Sequence, residues 1–279
     1  MLMRQQQTRQ SPLEPGPDRP AHLEVDHIYV GYDSKNVLED LTFQVPHGKR
    51  VAVVGPNGAG KSTLFKALVG LIPLRSGDIR IHGLPLGHHQ HCVSYVPQKE
   101  EVDWRFPLSV FDVVMLGRFG HHGWLGRPSQ LDNDIVFHCL ELLGISDLAK
   151  NSIRELSGGQ QQRIFLARAL AQEPHILLMD EPFSGVDTPT QETTLSLLEQ
   201  LKSQNVTVLV STHDLNMAAQ KFEETMLLNH RIIAYGPASE VFTHDHISQA
   251  FGSQFLLMDG AVFIDECCAP DENRLDKSA

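Results

Sequence analysis

Four cysteines in 279 residues are too few, and too awkwardly spaced, to staple this chain together. Cys92, Cys139 and the adjacent Cys267-Cys268 form no C-x-x-C pair and no disulfide spacing, so reduced thiols in a cytosolic setting are expected. Basic charge is also short. Lys and Arg number 23 against 34 Asp and Glu, a formal net charge of -11, and no lysine-rich run stands out. That balance excludes a phosphate backbone as the main partner, so no nucleic acid is expected. No apolar run approaches the roughly 18 residues that a membrane-spanning helix needs. Any membrane association must then come through a partner. Met1-Leu2-Met3-Arg4-Gln5 carries no apolar core, and no export signal is expected there.

What the chain does have is an ordinary globular balance, 41% hydrophobic and 20% charged, and enough length to bury a sizeable core. Residues 1–20 are rich in Gln and Pro and read as a disordered leader. From about residue 22 the texture changes. Residues 23–29 and 41–45 read as strands joined by a polar turn at 33–36, and 79–81 and 93–96 as two further short strands. Between 99 and 157 the pattern turns helical. Ser109 with Asp112, and Ser129 with Asp132, make two capping boxes. Behind the second, Leu131, Ile135, Cys139, Leu142 and Leu143 are expected on one buried face, with Gly144 as the stop.

Strand–helix alternation then resumes: helix 158–172, strand 175–179, helix 190–203, strand 206–210, helix 215–221, strands 225–228 and 232–234. This order predicts an α/β fold with a mostly parallel sheet covered on both faces, and ligands at the carboxyl ends of its strands. After Pro237 the expectation is a short helix at 239–242 and a frayed acidic tail.

Chemistry concentrates in a few stretches. Four apolar residues, 51–54, run into Gly55-Pro56-Asn57-Gly58-Ala59-Gly60-Lys61-Ser62-Thr63, and a helical pattern follows. This is G-x-x-x-x-G-K-S, a loop whose backbone N–H groups cradle a polyphosphate. Its lysine reaches the β/γ-phosphates and its Ser62 hydroxyl ligates Mg²⁺. Strand 175–179 ends in Asp180-Glu181, which places Asp180 to hold that Mg²⁺ and Glu181 to polarise a water for attack on the γ-phosphate. Strand 206–210 runs into Ser211-Thr212-His213, putting His213 at the same edge to sense the γ-phosphate or orient the base. Gln98 follows strand 93–96 as a neutral donor and acceptor. Ser157-Gly158-Gly159-Gln160 opens a helix and forms a second anion-binding start, which one phosphate tail does not need. Two copies head to tail would let it close on the nucleotide of the other chain.

Taken together, residues 55–62, Gln98, 156–160, Asp180-Glu181, Ser184-Gly185-Val186-Asp187 and His213 resemble the nucleotide-binding subunit of an ATP-binding-cassette (ABC) transporter. The likeness covers about residues 23–252. It implies a P-loop ATPase core at 21–255, with an N-terminal antiparallel β-subdomain, an inserted helical subdomain at about 99–165, and an acidic tail at 256–279. It further implies that Tyr32 stacks on the adenine of ATP and that Gln98 touches Mg²⁺ and the membrane partner. Ser157 and Gly159 would meet the γ-phosphate held by a second copy of the chain, and Asp187 would lie in the dimer-contact loop, where Ser-Gly-Val-Asp replaces the usual Ser-Ala-Leu-Asp.

Residues 102–118 and 181–187 resemble, within that family, importers of manganese, zinc or ferrous/chelated iron, and 121–129 leans toward the manganese/iron branch. Residues 99–118 would receive the coupling helix of a transmembrane permease, itself fed by an extracytoplasmic metal-binding protein. The expected place is peripheral, at the cytoplasmic face of the plasma (inner) membrane. A soluble, non-transporting ABC ATPase and a module that binds ATP without hydrolysing it are the alternatives. His88-His89-Gln90-His91-Cys92, His244-Asp245-His246 and Cys267-Cys268 have metal-ligand composition, but no zinc-like spacing to a second pair, and read as solvated segments.

Overall fold

The computed structural model describes residues 22–88, 92–98, 107–121 and 127–252, together with the strands 255–258 and 261–264. The leader, the metal-importer stretch at 102–106, residues 122–126, His89, His91 and Cys267-Cys268 lie outside the described residues.

Two sheets carry the fold. The first is antiparallel: β1 (Leu23–Tyr32), β2 (Lys35–Val45), β4 (Leu74–Ile81) and the short β5 (Leu84–Pro85), in the order β2-β1-β4-β5. The second runs β10-β9-β3-β8-β7-β6, with β3 (Arg50–Val54), β6 (Val93–Val96), β7 (Ile176–Asp180), β8 (Thr207–Thr212), β9 (Glu224–Asn229) and β10 (Arg231–Gly236). All neighbours in it are parallel except β9 and β10. Strands β3, β7 and β8 are buried along their whole length, as their near-continuous apolar sequences require.

Period-two geometry sorts their side chains to the two faces. Ala52 and Val54, Leu177 and Met179, Val208 and Val210 enter one core, beneath the helical layer. Val51 and Val53, Ile176 and Leu178, and Leu209 enter the other. There α1 (Lys61–Leu68) lies between the sheets, its Leu64, Phe65 and Leu68 meeting Ile28, Leu41 and Phe43 of the antiparallel layer. The helix that begins at the phosphate loop is thus gripped from both sides.

Between β6 and β7 the chain builds the helical insertion: α2 (Val110–Met115), a 3₁₀ turn (Leu116–His121), α3 (Gln130–Leu142) and α4 (Gly158–Ala171). Both expected capping boxes form, at Ser109/Asp112 and Ser129/Asp132. The buried face of α3 differs from expectation. Leu131 is 59% exposed, and Asp132, Val136, Cys139, Leu140 and Leu143 point inward. Asp132 is the cause: its carboxylate accepts from Arg118 Nε at 2.9 Å, inside the protein, and turns the helix to suit. Helices α5 (Thr188–Ser203), α6 (Leu215–Lys221) and α7 (Ala238–Val241) follow the alternation. Beyond Pro237 the chain is more regular than its periodicity suggested. α8 (His244–Phe251) is capped by Thr243, and β11 (Phe255–Met258) pairs with β12 (Ala261–Ile264) where residues 256–264 were expected to be a tail. No helix among the described residues is long and apolar enough to cross a membrane.

Candidate nucleotide site

Parallel pairing puts the carboxyl ends of the central strands side by side. Val54 pairs with Thr212 and Asp180 with Ser211, so the loops after β3, β7 and β8 open at one edge. A cleft of about 680 Å³ lies there, lined by Asn57 to Thr63 of the phosphate loop, by Gln98, Glu181, Ser184 and His213, and by Val37 of the antiparallel sheet. The loop between β3 and α1 is shaped by its glycines. Gly60 caps α1 at φ +97, where a Cβ would stand 2.5 Å from Leu38, and Gly58 sits at φ +81 with nothing within 4 Å of its Cβ position. The open side at Gly58 leaves room for a bulky anion against the backbone.

Lys61 is 6% exposed. Its ammonium donates to the carbonyls of Gly55 (2.8 Å) and Pro56 (3.2 Å) and lies 3.8 Å from Glu181 Oε1. Burial lowers its pKa from the usual lysine value, against the pull of the Glu181 and Asp180 carboxylates. An entering polyphosphate therefore competes with two carbonyls for a desolvated cation, which favours a strongly anionic ligand.

Asp180 ends β7 at 2% exposure. One carboxylate oxygen accepts from the Ser211 hydroxyl and the other from Tyr95 Oη at 3.3 Å. Glu181, one residue on, has left the strand and holds φ +46, an uncommon conformation for a non-glycine residue that is met most often at functional sites. The Ser211 hydroxyl accepts its N–H at 2.8 Å and helps hold the turn. The turn carries the Glu181 carboxylate away from the sheet into the cleft, where Oε2 stands 3.7 Å from His213 Nδ1. His213 is half exposed, and Asp214 caps the helix behind it.

The donors at and beneath the cleft have the chemistry that MgATP requires. A hydroxyl (Ser62), a carboxylate (Asp180) and a carboxamide (Gln98) are hard oxygen donors, the kind that suits Mg²⁺. The buried ammonium and the glycine-lined loop suit the phosphates.

The remaining sequence-predicted residues stand elsewhere. Ser157 caps α4 with Gln160 in a capping box, and Gly158 and Gly159 form the first turn. A Cβ on Gly159 would lie 2.5 Å from Thr190 Oγ1 and 2.9 Å from Asp187 Oδ1, so this helix start is pressed against the start of α5. Asp187 caps α5, and its carboxyl is held below the usual range by the hydrogen bond to Thr190. Of Ser157, Gly158, Gly159, Gln160, Asp187 and Tyr32, none lines the cleft of its own chain. Tyr32 closes β1 half exposed, and Arg75 donates to its carbonyl. Ser211, Tyr95 and Val37 were not singled out from the sequence. A serine and a tyrosine inside apolar strands carry no motif, and only the strand pairing reveals that both face Asp180.

The family described as "ABC transporter" matches residues 38–184. The chain is 46% identical over 240 residues to the manganese transport system ATP-binding protein MntB of Bacillus subtilis, covering 86% of this chain and 96% of that one. It is 44% identical over 232 residues to the zinc transport system ATP-binding protein TroB of Treponema pallidum, covering 83% and 87%. Among solved structures, a chain of a transporter assigned to the metal-chelate ABC type, in an inward-facing conformation, superposes with a TM-score of 0.73 at 30% identity, covering 87% of this chain and 95% of that one.

Proposed function

The chain belongs to the ABC transporter family of ATP-binding proteins, and from that premise we propose that it is the ATP-hydrolysing subunit of a divalent-metal importer, with manganese as the cargo. Zinc or chelated iron is the second reading, favoured by the similarity to TroB and to the metal-chelate transporter. The observation that carries the ATPase role is Glu181. Its carboxylate stands between Lys61 and His213 at the mouth of a glycine-lined anion cleft, on a backbone turn at positive φ.

In the proposed mechanism, the N–H groups of residues 57–62 and the Lys61 ammonium bind the phosphates of ATP, and Ser62, Asp180 and Gln98 would hold Mg²⁺. That ion, when bound, neutralises charge on the β- and γ-phosphate oxygens. Glu181 accepts the proton of the attacking water at its carboxylate, and His213 keeps that carboxylate and the γ-phosphate side in register. Tyr32 supports the adenine. Ser157 to Gln160 and Asp187 serve the nucleotide held by a second copy of the chain. Two chains closing on two ATP molecules gain contacts that the open state lacks, so binding shifts the pair to the closed state and hydrolysis reopens it. A transmembrane permease docked beside Gln98 takes up that motion, which places the chain peripherally at the cytoplasmic membrane face. An extracytoplasmic binding protein delivers the metal to the permease.

Glu181→Gln tests this directly. Nucleotide binding should persist while ATP turnover falls by about 10²–10⁴-fold, the usual contribution of a general base. Unchanged hydrolysis would remove Glu181 from the reaction. Cargo is read by transport of manganese, zinc and iron, each alone, into vesicles holding the chain with its permease.

A further inference from the structure

At the end of the parallel sheet opposite the nucleotide cleft, about 15 Å along β7 from Asp180, four histidines and a cysteine converge. They come from five separate points in the chain. His22 enters β1, His47 follows β2, His82 follows β4, Cys92 precedes β6 and His175 precedes β7. The donor atoms of His22, His47 and His82 all lie within 4.8 Å of one another, as do those of His82, Cys92 and His175. His82 is common to both sets. Its Nε2 stands 3.2 Å from His22 Nε2 and 2.9 Å from His175 Nδ1.

His82 Nε2 has one in-plane proton or one in-plane lone pair, so between neutral rings it makes a single well-directed hydrogen bond, and His22 and His175 compete for it. A cation drawing lone pairs from several rings removes the conflict. For zinc, with Zn–N of about 2.0–2.1 Å, the edge of a ligand tetrahedron is about 3.3 Å, close to both separations.

The tautomer of His22 fits the same purpose. Thr207 donates its hydroxyl proton to the Pro46 carbonyl (3.3 Å), and its oxygen accepts the N–H of Gly48 at 2.9 Å. With the Thr207 proton on that carbonyl, His22 Nδ1 at 2.5 Å from the same oxygen is the donor, and His22 Nε2 presents its lone pair toward His82. A metal-binding histidine is typically fixed in this way, by donating its other nitrogen to a neighbour. His82 also holds φ +53 in the two-residue turn between Ile81 and Leu84, where Asn, Asp or Gly is the usual occupant.

We infer that this cluster binds one transition-metal ion of the zinc class, with His82 as the central ligand, His22 beside it and the remaining positions filled from His47, His175 and Cys92. Imidazole and thiolate donors select such ions over manganese, which favours oxygen ligands. The ion ties the antiparallel sheet, through His22, His47 and His82, to the parallel sheet, through Cys92 and His175. It is separate from the Mg²⁺ site and from the transported cargo, and stands whichever metal the permease carries.

Equilibrium dialysis of the tag-free full-length chain against Zn²⁺ tests the assignment, with His82→Ala as the probe and His244→Ala as a control outside the cluster. One tightly held ion is expected in the unaltered chain. It should be retained in His244→Ala and weakened by roughly tenfold or more in His82→Ala, with magnesium-dependent ATP turnover unchanged. Failure of the unaltered chain to hold zinc, or equal binding by His82→Ala, overturns the inference. Should His82→Ala fail to fold, Co²⁺ added to the unaltered chain decides: tetrahedral d–d bands support the site, and an octahedral spectrum rejects it.

Discussion

Lys61 and Glu181 stand 3.8 Å apart at the mouth of the cleft. In the proposed mechanism an incoming phosphate competes for Lys61, which loosens the pair and leaves the Glu181 carboxylate available to the water. The side chain that keeps the arrangement in place is Ser211, which donates to buried Asp180 and accepts the Glu181 N–H at 2.8 Å. Ser211→Ala removes both bonds. It should lower stability by about 1–3 kcal/mol, the cost of leaving a buried polar group unpaired, and slow ATP turnover. Denaturant unfolding and a turnover assay check the two effects separately. The sequence displayed Lys61, Asp180, Glu181 and His213 because each ends a buried strand or belongs to a spaced motif. It hid Ser211 and Tyr95, whose partners are set by strand register, and it hid the histidine cluster, whose members are up to 153 positions apart.

Elements were legible where local chemistry decides them. The capping boxes at Ser109 and Ser129 could be read from four residues each, and the buried strands from their Val and Leu runs. The face of α3 could not, because a carboxylate was not expected inside. Arg118 gathers Asp132, the Ala171 carbonyl (2.6 Å) and Glu173 (2.9 Å), and so joins α3 to the end of α4. Asp132→Ala removes the buried one of the two carboxylates on Arg118, leaves its Nε unpaired and should cost about 1–3 kcal/mol, read from the shift in denaturation midpoint. α8 escaped notice because it is eight residues long with two buried positions, Ile247 and Ala250, too short a stretch to establish a period from sequence.

A second tie lies at the start of β3, where Arg50 binds Glu223 (2.9 Å) and Glu199. Burial alone would raise the Glu223 pKa, but hydrogen bonds from Arg50 and Lys202 outweigh it and bring the carboxyl down to about 2 from 4.5. A depressed folded-state pKa stabilises the fold above the ordinary value and loses that effect as the pH falls through the window from 4.5 to about 2. Glu223→Gln should therefore unfold with a weaker pH dependence in that window, measured by circular dichroism at fixed urea.

On the proposed reading, the molecule as a whole presents half a site. Its cleft holds the phosphate loop, Glu181 and His213, while the Ser157 helix start and Asp187 are turned elsewhere. Fold class and the order of the motifs were readable because parallel α/β alternation and a phosphate loop constrain each other. How far the Ser157 end of α4 stands from its own cleft was not, since it depends on how the insertion packs against α5. The claim on which the rest turns is that two chains complete each other around ATP. Light scattering of Glu181→Gln, in which nucleotide should persist uncleaved, tests it. With ATP and Mg²⁺ the molar mass should double, and the added change Ser157→Arg should return it to one chain without loss of nucleotide binding. A mass that stays at one chain with ATP and Mg²⁺ bound, both alone and with the permease, would contradict the account.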